Sequence, residues 1–79
     1  MSFAEEIKEI RQSCFLSQET FAKEIDVSFS TVNRWETGKT IPNCAMMGRI
    51  AQFCKDRDID YHGADKAWKE SWNGANARK

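Results

Sequence analysis

The segment Ser17–Lys39, with the sequence SQETFAKEIDVSFSTVNRWETGK, contains two short helical patterns separated by about three residues. Ser17 and Ser28 each stand where a helix N-cap belongs, ahead of apolar residues at helical spacing. The link between the two patterns consists of Asp26, Val27 and Ser28. A turn this short between helices that cross steeply is the helix-turn-helix arrangement.

The flanking sequence is also helical. Ser2 and Glu5 form a capping-box pattern that predicts a first helix over about residues 3–13. Asn43 predicts the start of a fourth helix and Asp60 that of a fifth. Because no stretch shows β-type alternation, the sequence predicts an all-α fold, a compact five-helix bundle over residues 1–73. A disordered tail is expected over residues 74–79, which contain little to bury.

Composition limits the class of protein. The chain has 79 residues, no net charge and a pI of about 6.6, as expected for one small globular domain. No apolar run approaches the ~20 residues that a membrane helix needs. The acidic, amphipathic N-terminus does not resemble a secretory signal, so we expect a cytoplasmic protein.

Neither catalysis nor metal binding is indicated by the sequence. The three cysteines show no CxxC spacing and are expected to be buried free thiols, with Cys14 and Cys54 on apolar helix faces. His62 is the single histidine and has no partner at a useful spacing. We therefore expect no enzyme, no metal and no cofactor.

The third helix has two different faces. With Val32 pointing inward, Trp35 and Glu36 lie within about 60° of it at 100° per residue. The residues that point outward are polar: Ser30, Asn33, Arg34 and Thr37. Such a face could read a DNA major groove, which is ~12 Å wide and admits one helix, or it could simply be solvated. Periodicity alone does not distinguish these alternatives.

The longer stretch LSQETFAKEIDVSFSTVNRWETGKTIP, residues 16–42, resembles the phage-repressor-like (Cro/C1, XRE-type) helix-turn-helix family. The resemblance extends over about residues 5–64 and implies a fold of the lambda-repressor-like DNA-binding type. It also implies a sequence-specific DNA-binding transcriptional regulator of bacterial or phage type, a repressor, whose third helix (about 29–36) reads the major groove.

The resemblance assigns roles to individual residues. Base readout falls on four positions at the start and outer face of helix 3: Phe29, Ser30, Asn33 and Arg34. Phosphate contacts fall on the start of helix 2, the start of helix 3 and the following loop: Gln18, Ser28, Thr31, Lys39 and Thr40. Arg11 and Glu36 match a pair that forms a structural salt bridge between helices 1 and 3.

Two residues depart from the family pattern. Asp26 replaces the turn glycine, and because aspartate tolerates the left-handed region better than most residues, the turn is expected to survive. Phe29 stands where the family often has a polar base reader. Its ring could contact a thymine methyl group or could close the core.

The resemblance further implies a homodimer on a pseudo-palindromic double-stranded DNA operator, because one reading head covers a short half-site. Three aromatic residues of helix 5 are the candidate dimer interface: Tyr61, Trp68 and Trp72. Packing of these rings onto helices 1 and 4 of the same chain is the alternative. The second functional hypothesis is an antitoxin-like or other protein-protein interaction module, with a partner such as a toxin. It is favoured by the zero net charge and by the several aromatic residues of helix 5.

Overall fold

Five helices make up the part of the chain that the structure describes. The computed structural model describes residues 2–76, with side chains for residues 2–72. In chain order the helices are α1 Phe3–Ser13, α2 Gln18–Glu24, α3 Phe29–Glu36, α4 Cys44–Asp56 and α5 His62–Asn76. Within this range there is no strand, and the predicted all-α fold is confirmed. No helix in the described range is long and apolar enough to cross a membrane.

The helices begin at the polar residues that the sequence predicts. In each case a side-chain oxygen accepts a backbone N–H of the first turn, which otherwise lacks a partner. The capping residues are Ser2, Ser17, Ser28 and Asn43, and the Asp60 carboxylate accepts the His62 N–H. At α1 the capping box is complete, and the backbone hydrogen bond from Ser2 lowers the pKa of Glu5.

Helices α1 to α4 end in the same backbone motif. The residue two positions after each helix lies in the left-handed region, with φ of 58° at Phe15, 58° at Asp26, 78° at Gly38 and 56° at Asp58. After α2, the Asp26 N–H donates to the Lys23 carbonyl and the Val27 N–H donates to the Ala22 carbonyl. This pair of bonds is the Schellman motif. The prediction that Asp26 can form the turn is confirmed.

All five helices contribute buried residues to one core, in which α1 packs against α3 and α5, and α2 packs on α3. Val32 and Trp35 are 0% and 1% exposed, and the Phe21 and Phe53 rings meet edge to face at 5.2 Å between centroids. Burial of Val32 and Trp35 fixes which side of α3 faces solvent.

Helix α5 differs from expectation in two respects. It continues to Asn76, three residues into the predicted disordered tail, while residues 77–79 of that tail lie outside the described range. Trp68 is 9% exposed, and its indole N–H donates to the Pro42 carbonyl at 2.7 Å. Its ring therefore belongs to the chain's own core, and a role for Trp68 in a dimer interface stays a prediction. Trp72 stacks on Trp68 at 5.3 Å and, like Tyr61, is half-buried.

All three cysteines are free thiols, as expected, but their burial differs. Cys54 is fully buried, and burial raises its pKa to about 11. Cys14 is only half-buried although it lies on the apolar side of α1, and Cys44 is exposed.

Candidate nucleic-acid interface

The outer face of α3 is a short polar surface on a firmly anchored helix. Ser30, Asn33 and Arg34 are exposed, on the side opposite to buried Val32 and Trp35. The Asn33 and Arg34 side chains form no hydrogen bond with the described residues. Their amide and guanidinium groups are thus free to bind a ligand. An asparagine amide can form two hydrogen bonds with the edge of adenine, and an arginine guanidinium can form two with the edge of guanine.

Phe29 lies in the first turn of α3. Its side chain is 52% exposed, so the alternative in which it closes the core does not apply. An apolar ring at this position can contact a thymine methyl group. Together with Ser30, Asn33 and Arg34, it completes the four predicted base-reading residues on one exposed surface.

The predicted ion pair between Arg11 and Glu36 is present. Arg11 Nε donates to Glu36 Oε2 at 2.7 Å, and Arg11 Nη2 donates to Glu36 Oε1 at 2.9 Å. The two side chains are 12% and 3% exposed. Hydrogen bonding to Glu36 raises the pKa of Arg11. The pair joins α1 to the last turn of α3, so the orientation of the exposed helix face is tied to the rest of the fold.

Gln18 also takes part in this network, which the sequence does not reveal. Its Nε2 donates to Glu36 Oε1 at 3.0 Å, while Arg11 Nη1 donates to the Leu16 carbonyl at 2.7 Å. Four hydrogen bonds thus connect α1, the α1–α2 turn, the start of α2 and the end of α3. A phosphate contact by Gln18 remains a prediction, and one amide N–H is already engaged inside the protein.

The other predicted phosphate-binding residues lie at the two ends of α3. The Ser28 and Thr31 hydroxyls are 2.7 Å apart, and Ser28 also caps the helix. Lys39 and Thr40 are exposed in the loop that follows α3, where the Lys39 N–H donates to the Arg34 carbonyl at 3.0 Å. Contact of these residues with phosphate remains a prediction.

Local charge on the helix-turn-helix segment is mixed. Lys23, Arg34 and Lys39 are exposed and form no ion pair with any residue from 2 to 72. Of the nearby acids, Glu24 pairs with Arg57, the residue that follows α4. In the described part of the chain, no group of His, Cys, Asp and Glu residues could hold a metal ion.

One exposed aromatic residue was not a predicted site residue. Phe15, between α1 and α2, is 95% exposed. The sequence gives no signal for this exposure, because an aromatic residue between two apolar-patterned helices is as well suited to a core as to a surface.

Comparison with known proteins agrees with this geometry. The sequence model of the family described as Helix-turn-helix matches residues 7–62. The chain belongs to this family, in its Cro/C1 (XRE) type, whose members are DNA-binding transcriptional regulators.

A relative within the helix-turn-helix family supports the assignment. The HTH-type transcriptional activator BcrR of Enterococcus faecalis is 34% identical over 53 residues, which are 67% of this chain and 26% of that protein. The chain therefore corresponds to about a quarter of the relative's length. No solved structure matches the chain significantly. The family match ends at His62, so Trp68 and Trp72 lie beyond the shared helix-turn-helix region.

Proposed function

We propose that this protein is a sequence-specific DNA-binding transcriptional regulator whose α3 enters the major groove. The observation that carries the proposal is the exposed set Phe29, Ser30, Asn33 and Arg34 on a helix whose opposite side is buried. The capping serine and the Arg11–Glu36 pair hold this helix in one orientation. Base-edge readout requires such a fixed helix, because donors must meet acceptors at hydrogen-bond distance.

Whether the regulator represses or activates transcription is a separate part of the proposal. The family resemblance favours a repressor, whereas the relative that matches residues of this chain is named an activator. Both outcomes use the same DNA contacts. The family and the relative point to a non-enzymatic regulator, and neither favours an antitoxin-like module.

A homodimer on a pseudo-palindromic operator forms the second part of the proposal. Tyr61, just before α5, and Trp72, on α5, are half-buried aromatic residues, a type enriched at the centres of protein interfaces. Trp68 contributes to this surface only indirectly, through the stacked Trp72 ring. Two protomers would place their α3 helices in successive major grooves, one DNA turn or ~34 Å apart.

Selection of binding sites from random double-stranded DNA, with the full chain at moderate salt, tests the proposal. We expect a short consensus, repeated with inverted symmetry at a spacing of one helical turn. Asn33→Ala and Arg34→Ala should each weaken binding to the selected site by about 5- to 160-fold, since one good base contact contributes about 1–3 kcal/mol of discrimination.

Lys55→Ala provides the matched control. Lys55 is exposed on α4, outside the helix-turn-helix, and its loss removes the same charge as Arg34→Ala. We expect it to leave affinity for the selected site within about twofold of wild type, as for a surface change away from the interface. Selection of no consensus, or equal affinity of all three variants, would contradict readout by α3.

A further inference from the structure

Phe15 is the least suitable residue for its position in the fold. Four helix ends share the left-handed Schellman geometry, and the other three positions hold Gly38, Asp26 and Asp58, which tolerate this conformation. Phe15 adopts a φ of 58° with 95% of its side chain exposed. A bulky residue there is a conformational outlier, and it disfavours folding by on the order of tenfold. Neither the turn nor the core requires the ring.

The backbone around Phe15 holds the ring in a fixed place. The Phe15 N–H donates to the Gln12 carbonyl at 3.0 Å, and the Leu16 N–H donates to the Arg11 carbonyl at 3.3 Å. Cys14 and Leu16, on either side, pack against the core. Since the segment is anchored, contact with a ligand would order little except the ring itself.

The position of Phe15 relates it to the candidate DNA interface. It lies two residues before Ser17, the cap of α2, and three before Gln18, which is hydrogen-bonded to Glu36 of α3. The other exposed large apolar residue in the described range is Phe29, one residue after the cap of α3. One exposed phenylalanine therefore lies three residues before the start of α2, and the other is the first residue of α3.

The surroundings of Phe15 fit a nucleic-acid backbone better than a protein surface. Of the residues around it in the chain, Gln12, Ser13 and Ser17 are exposed and polar, while Cys14 and Leu16 pack against the core, so Phe15 is the one exposed apolar side chain of this segment. One ring falls far short of the ~800 Å² that each partner buries in a stable protein interface. A DNA backbone instead offers isolated deoxyribose groups between phosphates, each of a size that one ring can contact. Because the chain has no net charge, bulk electrostatic attraction to DNA is weak, and an apolar contact would add affinity that charge does not supply.

We propose that Phe15 packs against the deoxyribose–phosphate backbone beside the groove occupied by α3, and so contributes affinity that does not depend on base sequence. The inference rests on the proposed function, because it requires the DNA complex. It deepens that function by adding an apolar backbone contact to the polar base-reading surface.

Two substitutions separate the ring from the backbone strain. Phe15→Gly removes both, whereas Phe15→Ala removes the ring and keeps a side chain in the left-handed conformation. We expect both variants to bind the selected site and a random duplex about 3- to 10-fold more weakly, as for loss of a partly buried aromatic contact. For each variant, the ratio of the affinity for the selected site to the affinity for the random duplex should stay the same as in wild type. Phe15→Gly should also raise the melting temperature by about 4–8 °C over Phe15→Ala.

The outcomes distinguish this inference from the proposed function. Weaker DNA binding by a better-folded Phe15→Gly protein supports the inference, since lost stability cannot explain it. If wild type selects an operator and both variants bind it with wild-type affinity, the backbone contact is overturned and the proposed function stands. If the variants bind DNA as wild type does and differ from it only in self-association, measured by sedimentation, the backbone contact is overturned in favour of a protein–protein contact. If wild type binds no DNA, both proposals fail.

Discussion

Gly48 lies in the middle of α4, and a Cβ built at this position meets no atom within 4 Å. A glycine inside a helix lowers stability because the unfolded chain has more freedom to lose, by about 0.5–1 kcal/mol relative to alanine. We therefore expect Gly48→Ala to raise the free energy of unfolding by about that amount. Urea denaturation followed by circular dichroism would measure it.

Gly38→Ala is the natural comparison. Its position is equally open, but its φ of 78° disfavours any residue with a Cβ. Alanine there is expected to lower the free energy of unfolding by about 1 kcal/mol. Opposite signs for the two glycine substitutions would establish that backbone conformation, and not space, decides the outcome. A loss of stability in Gly48→Ala would contradict the argument.

The individual helices show why sequence patterns succeed where they do. Ser2, Ser17 and Ser28 cap neighbouring N–H groups, so the information that starts each helix lies within a few residues. Local information also applies to Asp26, because aspartate tolerates the left-handed conformation that the turn requires. Helix starts and the alternation of faces on α3 could therefore be predicted from the sequence.

Other features depend on residues that are distant in the chain. The indole N–H of buried Trp68 donates to the Pro42 carbonyl, 26 positions away, and no periodicity indicates that bond. The Gln18–Glu36 hydrogen bond likewise spans two helices. The family resemblance supplied Arg11 and Glu36 as a pair, but local pattern alone would have left Glu36 as an acid near an apolar face.

The Arg11–Glu36 pair makes the placement of α3 dependent on α1. Glu36→Ala leaves an Arg11 guanidinium that is 12% exposed without its partner, a loss that is expected to cost about 3–5 kcal/mol of unfolding free energy. Replacing both residues, as Arg11→Met with Glu36→Leu, should cost clearly less than Glu36→Ala, because no buried charge then remains unpaired. Thermal unfolding of wild type, Glu36→Ala and the double variant would measure these differences in stability.

An exposed ion pair gives the reference for this experiment. Glu24 and Arg57 also join two helices, but their side chains are 43% and 38% exposed. Glu24→Ala is therefore expected to change the free energy of unfolding by less than about 1 kcal/mol. Similar losses in Glu24→Ala and Glu36→Ala would show that burial of the Arg11–Glu36 pair has no special effect on stability.

The charge distribution over the molecule determines how DNA binding should respond to salt. The chain has twelve basic and twelve acidic residues, so attraction to DNA must come from cations placed at the interface. On the helix-turn-helix segment the exposed cations without an ion-pair partner among residues 2–72 are Lys23, Arg34 and Lys39. If each neutralises one phosphate, the logarithm of the association constant should fall with log salt at a slope of roughly −3 per protomer.

Lys39→Ala tests directly how many phosphates each protomer neutralises. Removal of one phosphate contact should make the slope shallower by about 1 and weaken specific and random duplexes alike, because phosphates carry no sequence information. Lys55→Ala, outside the segment, should leave the slope unchanged. A slope near −6 per protomer would mean that cations beyond the helix-turn-helix reach the DNA. A shallow slope together with tight binding would instead require uncharged contacts, for which Phe15 and Phe29 are the exposed apolar side chains in the described range.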